Sequence, residues 1–212
     1  MLEAIFTSNG SSINLFNIIM YTGSVTSLFF LARGGAIGFL VAMLVATFYF
    51  FVAQPGIFNS LMLILFGLLM FSGTVNMVSG KWNPRKAPMG AVIICWFAAI
   101  MAGLYSIQYL HQIVEAVSIA MQPYMEPKYV PAGTVMPGVF GFSTVGMLVG
   151  SWMLSRNYTS GWSLVSLSGI GFVSIELAKS GITHYPLAGL TVLMLVASWM
   201  KGSSRAELIH EV

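Results

Sequence analysis

Few side chains in this sequence could do chemistry, and one group of them is regularly spaced. Tyr105, Gln108, His111, Gln112, Glu115 and Ser118 recur at intervals of three and four, which on a helix makes one stripe. Gln108, Gln112 and Glu115 offer amide and carboxylate groups that would hydrogen-bond a polar solute at the outer mouth of a path through a membrane. The alternative is the solvated end of a helix that has already crossed, since about 20 residues suffice for a span. Asn76, Asn14 and Asn17 are amides that read a polar ligand without burying a charge, although Asn76 is equally suited to bonding a neighbouring helix. Trp162 presents a flat ring that stacks on a planar heterocycle. It could equally be an interfacial belt residue, as Trp82 and Trp199 are expected to be.

Other chemistries find little support. Glu176 stands three residues before Lys179; that spacing suits an ion pair and, alternatively, a coupling-proton site. Cys95 is the single cysteine and aspartate is absent, so disulfide frameworks and multi-cysteine metal sites are excluded. His184 and His210 have no partner at metal-ligand spacing. No nucleophile elbow or paired carboxylate is present. The expectation is a protein with no metal, no cofactor and no enzyme activity.

The elements that must position these residues follow from composition. Of 212 residues, 57% are hydrophobic and 7% charged, with a mean hydropathy of +0.86, whereas a soluble domain carries about 25% charge. Disorder and nucleic-acid binding are excluded, and an all-α integral membrane protein is expected. No basic residue precedes Arg33, so the start does not read as a cleaved signal peptide. Seven transmembrane helices are expected at roughly 13–32, 36–53, 57–78, 88–110, 139–154, 162–177 and 185–200, separated by Gly-, Pro- and charge-rich breakers. The stretch 122–138, with four prolines, reads as the one sizeable loop. Seven Lys and Arg residues (Arg33, Lys81, Arg85, Lys86, Arg156, Lys201, Arg205) fall on one side and two, Lys128 and Lys179, on the other. By the positive-inside rule the N-terminus lies outside and the C-terminus inside, as an odd number of helices also requires.

An internal repeat emerges. Leu31-Ala32-Arg33 with Gly38-Phe39 returns 123 residues later as Leu154-Ser155-Arg156 with Gly161-Trp162. Ala53-Gln54-Pro55-Gly56-Ile57 returns 125 residues later as Ala178-Lys179-Ser180-Gly181-Ile182. Two parallel three-helix repeats follow, at 1–80 and 139–202, joined by helix 4 and the Pro-rich loop (81–138) and followed by a tail at 203–212. Parallel repeats surround a central pathway in some transporters. Phe39 is then the repeat partner of Trp162 and joins Asn76 among the candidate substrate-binding residues.

The stretch from Met153 through Arg156, Asn157 and Tyr158 to Trp162, with Ala178-Lys179-Ser180-Gly181-Ile182 and Gly80-Lys81-Trp82, resembles PnuC-type vitamin transporters and their SWEET-like relatives. So does the 3+1+3 layout. The resemblance implies facilitated uptake of nicotinamide riboside or a related vitamin or nucleoside across the cytoplasmic (inner) membrane. It also implies trapping of the substrate by intracellular phosphorylation and assembly as a homotrimer. The family's second helix-6 tryptophan is Val165 here, and its following asparagine is Gly169, so the resemblance does not select one vitamin. The rival expectation is a non-transporting membrane subunit of a larger secretion or respiratory complex, against which the repeat argues.

Overall fold

Runs of Leu, Phe, Met, Ile and Ala without proline satisfy their backbone polar groups within the segment as helices, as an apolar surrounding demands. A computed structural model describes residues 15–33, 36–53, 57–81, 83–120, 135–180 and 185–208. Among these residues there are seven α-helices: α1 Leu15–Ala32, α2 Ala36–Ala53, α3 Ile57–Val78, α4 Met89–Ala120, α5 Met136–Ser155, α6 Gly161–Ser180 and α7 Tyr185–Leu208. Asn14, Trp82, Lys128, Gly181, His184, His210 and most of the Pro-rich stretch lie outside the described residues, as do the side chains of Asn17, Ser118, Glu176, Lys179 and Arg205.

Four helices differ from expectation in length. α4 runs for 32 residues, about 48 Å at 1.5 Å per residue, because nothing between Gly103 and Pro123 breaks it. α5 begins at Met136 and takes in Pro137 and Gly138, both buried, which were expected in the loop. Proline's missing N–H costs nothing in a first turn. α6 continues to Ser180, and α7 to Leu208, so the tail expected from 203 begins inside a helix.

Among the described residues three stretches are long and apolar enough to cross a membrane: Ser60–Val78, Met89–Ile113 and Met136–Ser155. Shorter apolar stretches occupy Thr22–Ala32, Ala36–Tyr49 and Gly161–Ile175. α3 exposes Leu61, Ile64, Leu65, Leu68 and Phe71 along one face, a continuous apolar surface that suits lipid rather than water. The fold is that of a helical membrane protein.

The helices contact one another in a closed circuit. α1 packs on α2, α2 on α3, α3 on α5, α5 on α6, α6 on α7, and α7 returns to α1. α4 stands outside this ring, packed on α5 and only lightly on α3.

Small residues set the spacing within two hairpins, and they do so at matching positions. A Cβ on Gly38 of α2 would come 2.7 Å from the Ser27 carbonyl oxygen and collide with Leu31 of α1. In the second hairpin a Cβ on Gly161 of α6 would come 2.5 Å from the Gly150 carbonyl oxygen and 3.1 Å from Leu154 of α5. Each residue of the second set stands 123 positions after its counterpart. Gly23 against Val45 and Gly146 against Ser168 repeat the correspondence. These are close backbone approaches of the kind that hold membrane helices together.

Gly38→Val and Gly161→Val should therefore each lower the stability of the detergent-solubilised protein by about 1–3 kcal/mol, the usual cost of overpacking. Gly67→Ala and Gly90→Ala, where nothing lies within 4 Å of the added carbon, should cause no such loss. Thermal denaturation of the four variants checks this, and equal effects at all four positions would contradict the packing account.

Candidate functional site

One buried apolar cluster closes the ring at one end. Leu31 and Ala32 come from the end of α1, Phe39 and Ala42 from the start of α2, and Met70 from α3. Leu154 comes from the end of α5, and Trp162 and Val165 from the start of α6. Trp199 of α7 and Met77 of α3 pack against them. Phe39 is 0% exposed and Trp162 4%. The same end carries Arg33, Lys81, Arg85, Lys86, Arg156 and Lys201, all exposed.

Each of the two central rings rests on a glycine of another helix, Gly73 of α3 or Gly202 of α7. A Cβ on Gly73 would strike the Phe39 ring, and one on Gly202 the Trp162 ring. The two glycines stand 129 residues apart, not the 125 of the sequence match at Ala53 and Ala178. That match pairs the last residue of α2 with a residue two positions before the end of α6; Gln54 to Gly56 and Gly181-Ile182 lie outside the described residues.

The α3–α4 and α5–α6 connections are bonded together at this end. The Arg85 N–H donates to the Asn157 carbonyl at 2.9 Å, and the Thr159 N–H to the Arg85 carbonyl at 3.0 Å. The Asn157 side-chain amide donates to the Lys81 carbonyl at 2.8 Å. Asn157 has φ 69°, a left-handed conformation that asparagine tolerates better than most residues. Asn76 Nδ2 donates to the Ser155 carbonyl at 2.8 Å, which satisfies an acceptor left over at the end of α5.

Further into the ring, Met43, Phe66 and Met147 lie against the cluster. Thr144 shares the α5 face of Met147, Ser151 and Leu154 by its spacing. Its Oγ1 is buried without a hydrogen-bond partner. Ser143 Oγ and Ser168 Oγ are also buried and unpartnered, but each lies where a Cβ on Gly171 or Gly146 of the facing helix would fall. Such contacts suit weak Cα–H···O bonds. Thr144 has no comparable glycine opposite it. The groups gathered here are packed aromatic rings, thioethers and the Thr144 hydroxyl, with no charged side chain in the cluster. Among the described residues no group of His, Cys, Asp and Glu could hold a metal ion.

The structure thus brings Trp162 and Phe39 into one cluster, with Asn76 at its edge bonded to protein. It keeps Gln108, Gln112 and Glu115 apart from them: all three are exposed on α4, outside the ring. Thr144, Met43 and Met147 did not stand out in the sequence. The signal for Thr144 was its position three residues before a methionine on a Gly- and Ser-rich helix, a pattern shared by too many positions to single it out.

No family model, curated protein or solved structure matches the chain.

The burial of Trp162 makes its truncation costly for the fold. Trp162→Ala should destabilise by about 3–5 kcal/mol, as large-to-small changes in well-packed cores do, and Asn76→Ala by about 1–3 kcal/mol through the orphaned carbonyl. Gln108→Ala and Glu115→Ala should leave stability unchanged. Thermal denaturation checks all four, and a Trp162→Ala protein as stable as the parent would show that the ring is not packed as described.

Proposed function

We propose that the chain is a small-molecule transporter of the PnuC type, built from two parallel three-helix repeats, α1–α3 and α5–α7, with α4 as the connector. The observation that carries the reading is the matched packing of the two halves. Gly38 on Ser27 and Leu31 corresponds to Gly161 on Gly150 and Leu154. In the contact circuit, α3 on α5 and α7 on α1 are the two equivalent joints. A pseudo-two-fold ring of this kind has one place where both halves contribute equally, and it is the axis; the membership of Phe39 and Trp162 in one buried cluster supports assigning them to it.

On this reading the basic end faces the cytoplasm, following the bias of positive charge toward that side. All seven helices then span the cytoplasmic (inner) membrane, with the N-terminus outside and the C-terminus inside. The Phe39–Trp162 cluster is a closed inner gate. A neutral vitamin or nucleoside-like substrate enters from the other side and meets Thr144, Met43 and Met147 above the two rings. Its passage requires the halves to rock apart at the basic end, where the cluster and the Asn76 bond to the Ser155 carbonyl must part while the tight glycine contacts stay intact inside each half. Residues 81–120 contain no acid before Glu115, and none lies between Glu126 and Glu176. That pattern favours facilitated diffusion driven by intracellular phosphorylation over ion coupling. The homotrimer that the resemblance implies belongs to the same proposal.

Proteoliposomes containing the full chain, tested with labelled nicotinamide riboside, thiamine, riboflavin and nucleosides, examine the reading directly. One of them should cross in a saturable manner, with a rate unaffected by collapse of the proton gradient. If none crosses faster than in protein-free vesicles, the transporter reading is discarded.

A further inference from the structure

Where the α3–α4 and α5–α6 connections join, cations from two separate parts of the chain are gathered. Lys81, Arg85 and Lys86 lie on one connection and Arg156 on the other, and all four are exposed. Backbone bonds between Arg85 and residues 157 and 159, and from Asn157 to the Lys81 carbonyl, fix the two segments side by side. No Asp or Glu occurs between Glu3 and Glu115, or between Glu126 and Glu176, so neither segment supplies a neutralising carboxylate. Arg85 is partly pre-ordered: its guanidinium lies 4.9 Å from the Tyr158 ring centroid and donates to the Tyr158 hydroxyl at 3.4 Å.

The surface beside these cations is apolar. Val78 at the end of α3 is 76% exposed, Met89 at the start of α4 76%, and Trp152 near the end of α5 40%. A fixed group of cations bordered by exposed hydrophobes is complementary to an amphiphile with an anionic head. Guanidinium and ammonium groups bind phosphate strongly, and anionic lipids are drawn to basic segments at the membrane surface. The basic end of the first hairpin differs. There Arg33 lies 4.1 Å over the ring of Phe29 in its own helix.

We propose that this junction is a binding seat for an anionic phospholipid, with the phosphate held by Lys81, Arg85 and Arg156 and the acyl chains lying along Val78, Met89 and Trp152. The seat ties the connector after α3 to the α5–α6 hairpin, and its occupancy does not depend on what the ring transports.

The test uses the full chain in detergent, with retention of phosphatidylglycerol compared with phosphatidylcholine by native mass spectrometry. The parent should retain phosphatidylglycerol preferentially. Lys81→Gln with Arg156→Gln should reduce that preference by about tenfold or more, the scale expected for removing two interfacial cations, and Arg156→Lys should largely keep it. Arg33→Gln with Lys201→Gln removes as much charge from the same end and should leave the preference intact. If the double variant does not fold, Arg156→Gln alone, at an exposed position, gives the same reading at smaller amplitude. An equal loss in the Arg33/Lys201 control would mean diffuse surface charge and overturn the proposal. So would unchanged retention in the Lys81/Arg156 variant. Displacement of the lipid by inorganic phosphate at matched concentration would assign the site to a free anion instead, and would also overturn it.

Discussion

The close approach of backbones within the α1–α2 and α5–α6 hairpins governs the rest of the architecture. Where Gly38 meets the Ser27 carbonyl and Gly161 meets the Gly150 carbonyl, a single added carbon would force the helices apart. In an apolar surrounding, hydrophobic exclusion does not drive helices together, so close van der Waals contact has to. Once the two hairpins are drawn tight, the first residues of α2 and α6 are carried to the middle of the ring. That is why an aromatic immediately after each glycine, Phe39 and Trp162, ends in the shared core. The third helix of each half then accommodates the ring with a glycine of its own, Gly73 or Gly202.

The two hairpins are alike in packing and unlike in how they are tied down. The second hairpin is bonded to the α3–α4 connection by backbone and side-chain hydrogen bonds around Asn157, and Asn76 adds a bond to the end of α5. These polar contacts lie at the basic end, outside the apolar belt, where water and lipid headgroups can share them. Within the belt the contacts are mostly apolar or involve small hydroxyls: Ser143 and Ser168 are set against glycines, and the Ser166 hydroxyl donates to the Leu195 carbonyl of α7 at 3.3 Å. A ring made this way is pinned by hydrogen bonds where its loops are joined, and an opening at that end has to break them.

Much of this was legible in the sequence. Helix positions follow from long apolar runs punctuated by Gly, Pro and charge, and α2 and α3 match the expected 36–53 and 57–78 at both ends. The 123-residue repeat was legible because the glycines that set the packing are the residues that recur. The 125-residue match falls at the ends of α2 and α6, at Ala53 and two residues before Ser180, and carries no glycine contact of its own among the described residues. The direction of the polar stripe on α4 could be read only by finding that helix's packing face. Cys95, Ala99, Gly103, Ser106 and Leu110 are buried on it, and Gln108, Gln112 and Glu115 lie on the opposite side. The burial of Trp162 was not legible, because it depends on Gly202, forty residues away in sequence.

The central claim is that the two halves move against each other and open the Phe39–Trp162 cluster at the basic end. Arg33 and Arg156 are exposed, stand 123 residues apart and occupy equivalent ends of α1 and α5. Pulsed electron–electron resonance between spin labels at these two positions, in a Cys95→Ala background and in bilayers, measures that opening. The account predicts a short-distance population matching the closed ring and a longer one whose share changes when a transported vitamin is added. A single distance, unchanged by any vitamin that the protein carries across a bilayer, would contradict it.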